Sequence, residues 1–322
     1  MRIGPAVPYS LNSLVVERML AGVATRRHVD VAEPVGADID ARARSTSKSA
    51  VSRRFIATTK QAMEDLMARS LADLDVAVLM IDGLDVAGQC CVVALVITAD
   101  GTKVPVGLWL GDTENKVVVT DLLADLVARG LSTERGVLCV LDGGKALAAG
   151  VKRVFGEAAQ IQRCTIHKRR NLDGYLPKEV AAVVDRRLAL IFAQPDWRKG
   201  LDAAKRLAKE LEANHPDAAA SLREGLEDMF TVRRLGVGGT LAKTLKISGE
   251  SMISIARRTT GRVTRWKDGS MKKRWIAAGM LEAERSFRRV RGDSDMKELV
   301  EALRREVNPT AVTPEEYDQS AA

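Results

Sequence analysis

Two apolar runs in this chain each stop at an aspartate followed by glycine: VLMIDG at residues 78–83 and VLCVLDGG at 137–144. Asp-Gly is a frequent turn corner, and either copy taken alone is satisfied by that reading. As a pair they admit a different chemistry. Carboxylates at the ends of two neighbouring buried strands project to the same side of a sheet, and a glycine after each leaves room for a ligand. Such hard oxygen donors suit Mg²⁺, and two ions about 3.5–4 Å apart can clamp the attacking and leaving oxygens of a phosphodiester displacement. That work calls for a third carboxylate, expected from a helix behind the strands. Glu250, which opens a basic helical segment, stands at the right point of the chain to join Asp82 and Asp142.

The elements that must position these groups are legible in outline. VAVLMID, QCCVVALVITA and KVPVGLWLG are apolar or alternating runs, with ADGT between the last two as a hairpin signal. TENKVVVTDLLADLVARG has helical spacing and stops at Gly130, and GVLCVLDGG is apolar throughout, as a strand covered on both faces should be. KALAAGVKRVFG reads as a helix ending at Gly156, and AQIQRCTIH as a fifth strand. Strand, strand, strand, helix, strand, helix, strand is the order of the ribonuclease H fold. From 168 to 245 the apolar spacing is helical almost without a break, as in EVAAVVDRRLALIFAQ and WRKGLDAAKRLAKELEANH, which predicts an all-α insertion. Before the strands, LNSLVVERMLAG and STSKSAVSRRF predict helices. The second has Ser/Thr N-cap candidates and carries Lys48, Arg53 and Arg54 in its first turns, a pattern that suits either a recognition helix in a major groove or a capped, solvated helix.

Charge sharpens the partner. The chain has 50 Lys and Arg against 42 Asp and Glu, a modest surplus that matters only where it clusters. Between Arg257 and Arg291 twelve Lys or Arg face three acids, with Trp266 and Trp275 among them. A solvated face mixes both signs, so this segment points to a polyanion. Arg257, Arg258, Arg262 and Arg265 lead it. No apolar run is long enough to cross a bilayer and no signal peptide opens the chain. The four cysteines lie in or beside strand-like runs, which points to a reducing cytoplasm.

Taken together, LMIDG, DGTKVPVGLWLGDTENKVVVTDLLADLVARGL, LDGGKAL, QRCTIHKRRN, ESMISIARRT and RWIAAGMLEAERSFRRVRG resemble the core blocks of the Mutator-type transposases of bacterial insertion sequences. This is the DDE family with a Cys-x-x-His signature, and the likeness runs from about Leu14 to Arg291. The resemblance implies a ribonuclease H-like domain interrupted by an all-α insertion, and metal-dependent nuclease and strand-transferase activity on DNA. Carried over by position, Asp82, Asp142 and Glu250 would be the three carboxylates holding two Mg²⁺ or Mn²⁺ ions, and Cys164 and His167 the signature pair. A zinc site is excluded because four ligands are needed and no second Cys/His pair is at hand. Cys164 is expected to be a packed strand residue. Lys168, Arg169 and Arg170 are expected to bind DNA; His167 beside them is expected to contact DNA or to orient a carboxylate, and a surface histidine before a cationic helix is the plainer alternative. Relatives carry Thr-Asn-x-Ile-Glu-Ser at the third carboxylate, where this chain has LKISGESM, and the N-terminus is expected to be short.

These readings give an α/β chain with a ribonuclease H-like mixed sheet interrupted by an all-α insertion, preceded by a helical DNA-binding region. The expected boundaries are 1–75 (helix-turn-helix-like), 76–167 (first part of the catalytic core), 168–245 (insertion), 246–300 (second part, basic helices) and 301–322 (tail). The expected partner is double-stranded DNA, both terminal inverted repeats and target, bound by a dimer or larger assembly in a bacterial cytoplasm at the nucleoid, with no membrane. A catalytically decayed transposase that only binds DNA is the alternative.

Overall fold

A computed structural model describes residues 11–27, 47–111, 116–247 and 250–308. The chain divides into two compact units: Met1–Arg69 with Asp85–Gly88 and Ser251–Ser286, and Ser70–Leu84 with Gln89–Glu250 and Phe287–Ala322. Among the described residues, no helix is long and apolar enough to cross a membrane.

The larger unit is built on a five-stranded mixed sheet in the order β3-β2-β1-β4-β5. Its strands are β1 (Val76–Val86), β2 (Gln89–Thr98), β3 (Lys103–Gly111), β4 (Val137–Leu141) and β5 (Ala159–Arg163). β1 passes into β2 through Ala87 and Gly88, both with positive φ (51° and 74°), the backbone that a two-residue hairpin turn demands. β2 and β3 pair antiparallel, with an irregularity between Ala94 and Leu95. β4 then lies parallel to both β1 and β5, so it is the central strand on the parallel side. All five of its residues are buried, which accounts for a sequence without a polar position.

Helices named here α3 (Lys116–Ala128) and α4 (Lys145–Phe155) supply the crossovers and much of the cover. Val119, Leu122, Leu126, Leu147 and Val151 join Leu79, Ile81, Cys139 and Leu141 in one core. The stretch read as an insertion is helical: α5 (Thr165–Asp173), α6 (Lys178–Ala193), α7 (Trp197–Glu212), α8 (Pro216–Arg223), and the short α9 (Thr231–Arg234) and α10 (Gly239–Leu245). It has its own core, from Leu172 through Leu188 and Leu207 to Phe230.

The smaller unit contains α1 (Leu11–Leu20), α2 (Lys48–Ala68), most of α11 (Glu250–Thr260) and α12 (Gly269–Ser286). Val15, Leu20, Val51, Phe55, Trp275 and Ala278 form its core. Trp275 packs on Phe55 with ring centroids 4.7 Å apart and meets Trp266 edge-on at 6.5 Å. The two tryptophans that stand among cations in the sequence thus anchor a helical core. Arg69 forks onto Glu284 at 2.8 and 3.1 Å, and Arg274 donates to the Thr59 hydroxyl at 3.1 Å.

A tail was expected from 301. Instead α13 (Met296–Val307) continues through that point, because Leu299, Ala302 and Leu303 bury one face of it. Residues 309–322 lie outside the described residues.

Candidate active site

Asp82 and Asp142 are brought together by strand register. β1 and β4 are parallel partners with Ile81 opposite Leu141, so the next residue of each chain is an aspartate at the same end of the sheet. The Asp142 amide continues the ladder to the Ile81 carbonyl at 3.4 Å. Asp82 is 3% exposed, and each carboxylate accepts a hydrogen bond from the amide of the glycine that follows it, Gly83 at 2.8 Å and Gly143. The Asp-Gly pairs therefore make a local bond that turns the carboxylate back over its own chain.

The third group comes from the helix that follows the next strand. The Cys164 amide donates to the Leu141 carbonyl at 2.7 Å as β5 ends, and Cys164 then heads helix α5 with its side chain wholly buried. One turn in, His167 Nδ1 stands 3.4 Å from Asp142 Oδ1. Ligand atoms of Asp82, Asp142 and His167 all lie within 4.8 Å of one another. The hydrogen bond with Cys164 raises the His167 pKa to about 9 against the cost of burial, and the charges of Asp142, Cys164 and Asp82 add to it. The imidazolium neutralises part of the charge that two neighbouring carboxylates would otherwise concentrate. Of the sequence alternatives for His167, contact with a carboxylate is what the geometry displays.

Glu250 is the first residue of α11, as the opening of a helical segment required, but Ser248, Gly249 and the Glu250 side chain lie outside what is described. The last described residues before it are held in place at Lys246. The Lys246 carbonyl accepts from the Thr165 amide at 3.0 Å and the Thr165 hydroxyl at 3.3 Å, directly beside Cys164. Lys246 itself is buried, its ammonium donating to the Phe192 carbonyl at 2.6 Å.

The cationic candidates separate. Lys168 is 2% exposed and donates to the carbonyls of Ser221 and Glu224 at 2.6 and 2.9 Å, at the C-terminal end of α8. It faces inward because Thr165, Lys168 and Leu172 form the buried stripe of α5. Its neighbour Arg169 forks onto Asp185 at 2.7 and 2.6 Å, while Arg170 is exposed. Lys48 and Arg53 are exposed and Arg54 half-exposed on α2, whose N-cap is Ser47. Arg257, Arg258, Arg262 and Arg265 are exposed, but Arg262 also reaches back to the Leu20 carbonyl at the end of α1.

Sequence reasoning passed over Gln162 and Arg163, both buried at the end of β5. The available signal was two adjacent long polar residues at the end of a short strand. Gln162 holds the helical layer, donating to the Met229 carbonyl at 2.9 Å and accepting from the Val232 amide at 3.0 Å.

A family model described as "Transposase, Mutator family" matches residues 8–284. The transposase for insertion sequence element IS256 in transposon Tn4001 of Staphylococcus aureus is 26% identical over 235 residues, covering 69% of this chain and 57% of that protein. The transposase for element IST2 of Acidithiobacillus ferrooxidans is 30% identical over 141 residues, 44% of this chain and 47% of its own. The transposase for element IS905 of Lactococcus lactis is 26% identical over 228 residues, 69% and 55%. The chain thus spans about half the length of these relatives.

Proposed function

This chain belongs to the Mutator family of transposases, and from that premise we propose that it binds the ends of an insertion sequence and catalyses metal-dependent cleavage and strand transfer of DNA. The observation that carries the reading is the meeting of Asp82 and Asp142 at adjoining ends of parallel strands, with His167 against them. The strand order and the helical stretch from 165 to 245 support a ribonuclease H-like catalytic domain with an all-α insertion. The donor set fits hard divalent cations such as Mg²⁺ or Mn²⁺, since oxygen ligands converge there. When bound, a pair of such ions would supply the Lewis acidity for in-line displacement at phosphorus.

The chain's own residues do the rest. Asp82 and Asp142 hold the ions, their carboxylates aimed by the Gly83 and Gly143 amides. His167 orients Asp142 from the side. Glu250 is the proposed third ligand: it follows the pinned Lys246 carbonyl by four residues, a span of at most about 14 Å, so its reach is tied to the start of α5. DNA binding is assigned to Lys48, Arg53, Arg54, Arg257, Arg258 and Arg265 of the smaller unit and, separately, to Arg170 of the larger one. Terminal repeats and target DNA are the proposed ligands, held by at least two copies of the chain because two ends must be joined. The proposed setting is the nucleoid in a bacterial cytoplasm.

The test is cleavage and strand transfer with Mg²⁺ or Mn²⁺ on DNA bearing the element's own ends. Asp82→Ala and Asp142→Ala should each abolish both reactions while DNA binding stays nearly intact, because affinity resides in cations elsewhere. Cutting at the normal rate by either variant refutes that carboxylate's role. The second reading, a decayed transposase that only binds DNA, is favoured by ISGES, which departs from the Thr-Asn-x-Ile-Glu-Ser that the resemblance implies and puts Gly249 ahead of Glu250. It predicts end binding without cleavage in the unaltered chain, and a gain of cleavage when Thr-Asn-x-Ile-Glu-Ser is restored.

A further inference from the structure

Arg163 is a cation buried to 5% exposure at the end of β5, and its contacts point in two directions. Toward the sheet, its Nη1 donates to the Gly143 carbonyl at 3.0 Å. The amide of that same Gly143 donates to the Asp142 carboxylate, so a single residue links Arg163 to the site. Toward the helical layer, Nη1 also donates to Glu224 at 3.3 Å, and Nε lies 3.5 Å from Asp228 with no hydrogen bond of its own. Gly225, next to Glu224 in this turn, lies over the guanidinium so closely that a Cβ there would come within 2.3 Å of Nε. Gly225 also has φ +59°, so the turn after α8 is shaped around this side chain. Lys168 fastens the same turn through the Ser221 and Glu224 carbonyls.

We propose that Arg163 is a positioning residue that couples the turn at residues 224–228 of the helical layer to the Asp142 carboxylate, so that the insertion sets the metal affinity of the site. The proposal rests on the reading of Asp82 and Asp142 as metal ligands. Physically, the peptide units on either side of Gly143 are rigid planes joined at one Cα, so a bond that fixes its carbonyl restricts the direction of its amide. Arg163 holds its place through two hydrogen bonds from Nη1 and the charge of Asp228 beside Nε, and a planar guanidinium can reach the Gly143 carbonyl and the two acids together where an ammonium would not. Outer partners of this sort orient a ligand without touching the ion, and their loss costs roughly 10–100-fold in metal affinity. Movement of the helical layer, for instance when DNA is engaged, would then be felt at Asp142 through the Arg163 guanidinium.

The experiment measures Mn²⁺ binding by the full chain directly, by paramagnetic resonance of free Mn²⁺, together with melting curves at zero and saturating Mn²⁺ and DNA-end binding in metal-free buffer. Arg163→Gln should weaken Mn²⁺ binding about tenfold or more and shrink the Mn²⁺-induced rise in Tm, with DNA binding unchanged. A merely structural arginine would lower Tm equally with and without Mn²⁺ and leave the affinity alone. Glu224→Gln is the milder variant should Arg163→Gln not fold. It keeps the shape, removes the charge that holds the guanidinium, and should weaken Mn²⁺ severalfold. Wild-type affinity in the folded variants overturns the coupling while Asp142→Asn still loses Mn²⁺. If the unaltered chain binds no Mn²⁺, or Asp142→Asn binds it as well as wild type, the metal site itself falls and this proposal with it.

Discussion

Lys168 illustrates how a single residue escapes a pattern read along the chain. In the sequence it heads Lys-Arg-Arg after the signature histidine and reads as one of three cations facing DNA. Helical steps separate them, and Lys168 falls on the stripe of Thr165 and Leu172 that packs inward. Burial pushes its pKa down to about 8, with Glu224 opposing the shift and Arg163 and Lys145 adding to it. The folded chain then releases this proton near pH 8, whereas the unfolded chain holds it to about 10.5. Between those values the unfolded state binds more protons, so this group makes stability rise with pH, by up to ~1.4 kcal/mol per unit. Below pH 8 the cost of burying the charge is carried in full. Replacing Lys168 by Met should therefore flatten the stability profile between pH 8 and 10.5, read from denaturant midpoints against wild type. An identical slope would mean the ammonium is solvated. Asp82 and Asp142 were legible for the opposite reason: a carboxylate that ends an all-apolar run has no packing role there.

At the scale of elements, β1, β2 and β4 were readable because burial leaves apolar runs that nothing else explains, and α3 and α4 by their helical spacing. The fifth strand was read through His167, whereas it ends at Arg163 and Thr165 already opens α5. The strand pairing could be ordered, since short connections and a hairpin signal leave few topologies open. Close approach between elements left no such trace. Gly150 lies mid-helix in α4, where helix propensity alone favours alanine by about 1 kcal/mol. Yet a Cβ there would sit 2.6 Å from Cγ1 of Val119, a fully buried residue of α3 with nowhere to move. Overpacking of this kind costs about 1–3 kcal/mol, so clash outweighs propensity. Gly150→Ala should lower stability by about 1 kcal/mol net, seen as a reduced urea midpoint at constant slope. A raised midpoint would mean that Val119 and α3 yield. The α13 helix was also missed, its apolar face hidden in a charged stretch that resembles a solvated tail.

At the scale of the whole molecule, the feature furthest from view in the sequence is that the first helices and the basic segment build one unit. Leu20 and Trp275 share a core although some 250 residues of chain lie between them, and no periodicity records a pairing of that separation. What the sequence did record was charge. Lys48 and Arg53 on α2 and Arg257, Arg258 and Arg265 on or after α11 are exposed in that unit, while Phe55, Trp266 and Trp275 are drawn into its core. Arg262 differs from them, because its guanidinium caps the Leu20 carbonyl and lies against Gly22. Two outcomes should therefore part. Neutralising Arg257, Arg258 and Arg265 to Gln should weaken binding to every DNA sequence alike and leave Tm nearly unchanged. It should also flatten the plot of log affinity against log salt by roughly 0.9 for each phosphate that no longer meets a cation. Arg262→Gln should instead lower Tm by removing the bond to the end of α1, a partly buried helix-end interaction that is expected to contribute about 1 kcal/mol. Both are read from fluorescence anisotropy at several salt concentrations and from melting curves on the same preparations. A triple variant that keeps the wild-type salt slope would assign this face to protein rather than DNA, and an Arg262→Gln chain that melts like wild type but binds DNA less tightly would return Arg262 to the phosphate-binding set.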